Sequence, residues 1–103
     1  MGNDKTKYDK IFEEAKNGGR YAGTYNDAIK KTPTQLNKSI GSHEDQATEH
    51  QAKINNPKKY VSDWEIKNEN YKTGTIKTWE KHRAKNKDEA EIEKRVRKER
   101  GLE

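Results

Sequence analysis

Apolar positions fall into a helical rhythm three times along the chain. Tyr8, Ile11, Phe12 and Ala15 stand at i, i+3, i+4 and i+7, one face of an α-helix, and predict a short helix over 5–16. Asn17-Gly18-Gly19 closes it, because glycine takes the left-handed cap conformation without a Cβ clash. In the strongest stretch, Leu36, Ile40, His43, Ala47, His50 and Ile54 step by four and three and share one seam. Ahead of it Thr32 can cap, Pro33 suits the first helical position and Gln35 can return a bond to Thr32. Asn55-Asn56-Pro57 stops it, since proline disfavours helical geometry in the residue before it. A helix over 33–55 is expected, a rod of roughly 33 Å.

The third rhythm opens at Ile76 and Trp79 and runs through Arg83, Asn86 and Ala90, so its apolar face fades. A turn at Lys72-Thr73-Gly74, with Thr73 or Thr75 as cap, puts this last helix at 75–100. Ile92 and Val96 then lie about 140° around the helix from Trp79. Two readings follow: a break near 86–88 with a restart capped by Asp88 and Glu91, or a solvated end. Between the helices, 18–31 reads as a Gly- and Tyr-spaced segment with one helical turn at Ala28 and Ile29. The stretch 57–73 reads as a connector whose Tyr60, Val61 and Trp64 fold back over the end of the long helix. Together these predict one all-α domain over 1–103. Its long and last helices form an antiparallel hairpin, with the short N-terminal helix and the connector packed on it. The large core candidates are Leu36, Ile40, Ile54, Ile76, Trp79 and Trp64, with Phe12 and Ile11 from the first helix.

Composition narrows this to a thin core. Leu, Ile, Val and Phe number twelve in 103 residues, below the ~20% under which a charged chain tends to stay disordered. Two Trp and five Tyr supply further apolar area. A fold of this kind gains from a bound partner. Residues 1–56 hold nine basic and eight acidic side chains and the remainder fourteen and ten, a balance that permits a phosphate-bearing partner. The absence of cysteine excludes disulfides and thiolate metal sites. No apolar run reaches the ~20 residues that span a bilayer, and no membrane partner is expected. Met1-Gly2-Asn3-Asp4-Lys5-Thr6 matches the myristoylation pattern in form but has no second membrane signal.

His43 and His50 are seven apart, about 10.5 Å along a helix, too far for joint ligation of one ion, so no metal is expected. No cofactor fingerprint appears either. Two readings of the imidazoles stay open. Both are seam residues satisfied by neighbours, or His50 is a general acid/base facing a cleft, for which a pKa near 6.5 suits it. In the second reading Lys53, Arg20 and Lys59 hold a phosphate's charge and His43 contacts the substrate. Metal-independent RNA cleavage needs only such a base, an acid and a cation. Arg20-Tyr21-Ala22-Gly23-Thr24-Tyr25 is either a phosphate-facing loop or a turn whose tyrosines pack on helices. The Tyr, Trp and Lys interleaving of 58–81 either stacks single-stranded bases or is core.

Gly18-Gly19-Arg20-Tyr21-Ala22-Gly23-Thr24-Tyr25, Lys38-Ser39-Ile40, Glu49-His50-Gln51-Ala52-Lys53-Ile54-Asn55-Asn56-Pro57 and Trp79 together resemble a pattern of C-terminal toxin tips. These end bacterial polymorphic toxins of the contact-dependent inhibition, Rhs and LXG types. The pattern reads GG-x-H-x-G-x-Y, K-S-I, E-H-x-x-K-I-x-N-P and a late W, and covers residues 18–96. The resemblance implies an effector, often a nuclease, delivered from a producing bacterium into a target cell and neutralised by a cognate immunity protein. His50, Lys53 and Tyr25 match it. Tyr21 stands where the pattern has histidine and can still donate a proton, and Arg83 stands where the late helix is usually apolar. Catalytic candidates are therefore His50, Tyr25 and Tyr21, with Arg20, Lys53, His43 and Lys59 on the substrate. Two alternatives are a non-enzymatic helical interaction module and a small basic nucleic-acid-binding protein.

Overall fold

Local chemistry delimits the central helix. In a computed structural model, which describes residues 3–102 with side chains from Thr6 onward, this helix is α3, Pro33–Asn55. The Thr32 hydroxyl accepts from the Gln35 amide at 3.1 Å, and the Gln35 side chain accepts from the Thr32 amide at 3.0 Å. This reciprocal cap satisfies two backbone donors that have no partner inside the helix. Before it come α1, Asn3–Lys16, and α2, Ala22–Lys30; after it come α4, Pro57–Tyr60, a 3₁₀ turn at Trp64–Ile66, and α5, Glu69–Glu99. Met1 and Gly2, on which the myristoylation pattern depends, lie outside the described residues.

The fold is all-α. α3 and α5 pack along their lengths as an antiparallel pair in an elongated body of 51 × 27 × 26 Å. Pairs such as Asn37–Arg97, Ser39–Glu93 and Gln51–Arg83 step in opposite directions along the two helices and fix their register. α1 and α2 lie against each other and against the C-terminal half of α5. There Phe12, Ala15, Ala28, Leu36, Ile40, Ile92 and Val96 form the enclosed core.

Three expectations are corrected. The last helix starts at Glu69, not 75, because the Asn68 side chain accepts from the Tyr71 amide at 2.8 Å and caps the first turn. It does not break near 86–88, and its late apolar face is not solvated. Ile92 and Val96 are buried because α1 and α2 cover the face of α5 that α3 leaves open. Segment 18–31 is not a loop with one helical turn, since α2 is helical from Ala22. Ala28 is wholly buried, and Arg100 donates to the carbonyls of Ala28 and Lys31 at its C-terminal end. Gly18, at φ 86°, makes the turn out of α1.

The connector's Trp64 packs on α5, not on the end of α3: it stacks on Trp79 with centroids 6.2 Å apart and meets Tyr71 edge-on at 6.3 Å. Tyr60 stays exposed, and Ile54, Ile76, Trp64, Trp79 and Ile11 are only half-buried. The enclosed core lies at the opposite end of the α3–α5 pair from the tryptophans.

Candidate functional site

The candidate residues separate into distinct surroundings. His50 and Lys53 sit on the same flank of α3, one turn apart. The His50 ring meets His82 of α5 edge-on, with centroids 5.2 Å apart and planes at 62°. Its Nδ1 is buried and has no hydrogen-bond partner. Burial first, then the charges of His82 and Lys53, hold the His50 imidazole below its ordinary value, against a weaker opposing pull from Glu49. A neutral imidazole can take a proton near neutral pH, and with Nδ1 enclosed any exchange with a substrate falls to Nε2.

His43, two turns back on the seam, faces a different group. Glu93 is buried, and its Oε2 accepts from the Ser39 hydroxyl at 2.6 Å while Oε1 lies 3.6 Å from His43 Nε2. Burial pushes the Glu93 carboxyl up, partly offset by Ser39 and His43. Because the carboxylate lies between the hydroxyl and the imidazole, His43 is not placed to take the Ser39 proton. The trio has the parts of a nucleophilic triad in an order that activates nothing.

Tyr21 caps α2 with φ 65°, a left-handed conformation uncommon for a residue with a large side chain. Its hydroxyl donates to Oδ2 of buried Asp88 at 3.0 Å and accepts from Arg20 at 3.2 Å; the Arg20 guanidinium lies 4.8 Å from the Tyr21 ring centroid. Burial and the Asp88 charge push the phenol up to about 12. It therefore holds its proton at neutral pH and stays bound to Asp88. Asp88 lies about 9 Å along α5 and about 120° around it from His82, so Tyr21 and Arg20 face away from the histidine pair. Tyr25 is partly buried and packs edge-on against Phe12 at 5.8 Å, on the border of the enclosed core. Lys59 is exposed on α4, 5.8 Å from the ring centroid of Tyr60.

The structure thus brings His50 and Lys53 together, while Tyr21 and Arg20 meet Asp88, Tyr25 meets Phe12 and His43 meets Glu93. His82, the group closest in kind to His50, is not singled out by the sequence, because it lies beside the 79–83–86 rhythm and not on it. The signal that finds it is register: folding the two helices antiparallel about the connector sets 82 against 50. On the other flank of the pair, Arg83 donates to Gln51 at 2.6 Å.

Among the described residues, no group of three or more His, Cys, Asp or Glu side chains is gathered to hold a metal ion. Nor is any helix long and apolar enough to cross a membrane. The chain matches no family model, and comparison with the curated proteins and with the solved structures finds no match.

Proposed function

We propose that the chain is a toxin-tip effector domain acting on nucleic acid, with His50 and His82 as its proton-transfer groups and Lys53 as a phosphate contact. The observation that carries this reading is the His50 imidazole: half-buried, held neutral and beside a second imidazole. The resemblance of the Glu49 to Pro57 run to toxin tips supports it. In metal-independent RNA cleavage one imidazole takes the proton of a 2′-hydroxyl. The alkoxide attacks the adjacent phosphorus, and the bond to the 5′-oxygen breaks as an acid protonates it. A 2′,3′-cyclic phosphate and a 5′-hydroxyl remain. Two imidazoles supply base and acid, and a lysine beside them offsets the charge that gathers on the phosphorane.

Expression in a bacterium with no neutralising partner should slow growth, and the purified chain should cut RNA in the presence of a chelator. His50→Ala and His82→Ala should each abolish both effects while leaving the circular dichroism of the chain unchanged. A wild type that neither slows growth nor cuts nucleic acid overturns the reading.

A helical interaction module is the second reading, favoured by one observation. On the flank away from the histidine pair, α3 and α5 leave a groove of about 600 Å³ lined by Ala47, Ala52 and Ala90 and bordered by Tyr8 of α1. This reading predicts no growth effect and a circular dichroism signal that strengthens with a bound partner.

A further inference from the structure

On α5, Tyr71, Gly74, Thr78 and His82 recur at i, i+3, i+7 and i+11 and so share one face. Beside them run Lys77, Lys81 and Lys85, spaced by four and exposed. Among the described residues none of these three lysines has an ion-pair partner, although other lysines of the chain do.

Gly74, like Gly23 in α2 and Gly41 in α3, stands inside a helix with open space around it, and it alone of the three lies beside the exposed Tyr71 ring. Glycine weakens a helix interior relative to alanine, and a Cβ at Gly74 would meet nothing within 4 Å. Packing within the fold gives no reason for it. Around Gly74 lies an open notch of about 430 Å³, bordered by Tyr71, Thr75, Thr78 and Trp79 with Asn70 at its lip. Thr78 turns its hydroxyl back to the Gly74 carbonyl at 3.0 Å. Tyr71 is 44% exposed and is backed by the Trp64–Trp79 stack, while the Lys67 ammonium lies 5.1 Å from its ring centroid. A flat ring, an open notch and a neighbouring cation are the parts of a base-stacking platform.

We propose that this face of α5 is a track for single-stranded nucleic acid. One base lies in the Gly74 notch against Tyr71, phosphates follow Lys77, Lys81 and Lys85, and the strand leads to His82 and His50. The inference rests on the reading that the chain acts on nucleic acid, and adds where and in what form the substrate is held. Each lysine step rises about 6 Å along the helix, wider than the ~3.4 Å phosphate rise of one strand in a duplex. That spacing suits a drawn-out single strand. The notch lies about 12 Å along the helix from His82, two lysine steps away. A duplex keeps its bases stacked inside and has none to offer the notch.

The test is fluorescence anisotropy of the full chain with a labelled single-stranded deoxyoligonucleotide of about twelve nucleotides, which has no 2′-hydroxyl and so cannot be cut by the route above. Tyr71→Ala should weaken binding by about 5- to 100-fold. The triple variant Lys77→Gln, Lys81→Gln, Lys85→Gln should flatten the log-affinity against log-salt slope by about 2, at about 0.7 per phosphate contact. Gly74→Ala should raise the melting temperature and yet weaken binding several-fold, a pair of changes that a purely structural glycine would not produce. Single-strand affinity unchanged in Tyr71→Ala and Gly74→Ala, or a duplex bound as tightly as the single strand, overturns the track. If RNA cleavage then persists, the track alone has failed. If the wild type neither binds nor cuts nucleic acid, the functional reading fails with it.

Discussion

Where α1 and α2 lie against α5, Leu36, Ile92 and Val96 are wholly enclosed. Toward the other end of the same helix pair Ile76 and Trp79 are half-exposed, and Ile66 is 82% exposed. One end is a four-helix core. The other is two helices tied by a short connector, with its polar and aromatic groups facing water. Each element of the enclosed end covers another's apolar face, so burial there stabilises the fold. At the open end, residues that resemble core in the sequence (Trp64, Trp79, Ile54 and Ile76) are left partly uncovered, and His50, His82 and the exposed lysines gather beside them. Stability and candidate chemistry are therefore segregated along the rod.

Truncating one large aliphatic side chain at each end tests that contrast most strongly. Leu36→Ala should cost about 2–5 kcal/mol, because it removes fully buried methyl groups and leaves a cavity that its neighbours cannot fill. Ile76→Ala should cost about 1 kcal/mol, since the side chain is half-exposed and the space it leaves opens to water. Urea unfolding followed by circular dichroism measures both. Equal costs would mean that the open end is as tightly packed as the closed one.

Tyr21→Phe probes how the closed end is pinned. It removes the hydroxyl that donates to Asp88 Oδ2, while Asp88 Oδ1 already has no partner. A buried carboxylate stripped of its donor should cost about 1–3 kcal/mol. Urea midpoints unchanged within error would show that Asp88 finds another donor.

These contrasts also mark what the sequence could reveal. α3 was readable because its signals are local: Thr32, Pro33 and Gln35 start it, and Asn55-Asn56-Pro57 stops it. The start of α5 was not, because Thr73 and Thr75 offer the same kind of cap as Asn68. Trp64, Tyr71 and Trp79, in contact where the connector packs on α5, favour the earlier start. The offset of Ile92 and Val96 from Trp79 was visible, but it signified a second packed face. Its cover comes from Phe12, Ala15 and Ala28, which are distant in sequence. Of the candidate site, His50 and Lys53 were legible as helix neighbours, whereas His82 needed the register of α5 against α3. The burial of Glu93 and Asp88 was hidden among 40% charged residues, most of which face water.

Glu93 gives the closed end a pH signature. Its carboxyl titrates above the ordinary 4.5 in the folded chain, so the folded state holds this proton more tightly than the unfolded one. The stabilisation is complete below about pH 4.5 and is lost as the pH rises through the raised folded value. Glu93→Gln keeps an acceptor for Ser39 without the buried charge. It should raise stability at pH 8, and the gain should shrink toward pH 4.5. Chemical denaturation at the two pH values reads this directly; a loss of stability at pH 8 would show that the pairing with His43 outweighs the burial of the carboxylate.

The open end carries the opposite sign and the smallest effect. His50 titrates below its ordinary 6.5, with burial as the largest cause and His82 and Lys53 next. Its contribution to stability is present above pH 6.5 and is lost as the pH falls through the lowered folded value. An NMR titration of the His50 ring should therefore give a midpoint below 6.5. His82→Gln should move that midpoint upward without restoring it fully, because the burial of His50 in the α3–α5 seam remains. Full recovery to 6.5 would show that charge, not burial, keeps His50 neutral. The imidazole would then be an ordinary surface group whose readiness to take a proton depends on His82 alone.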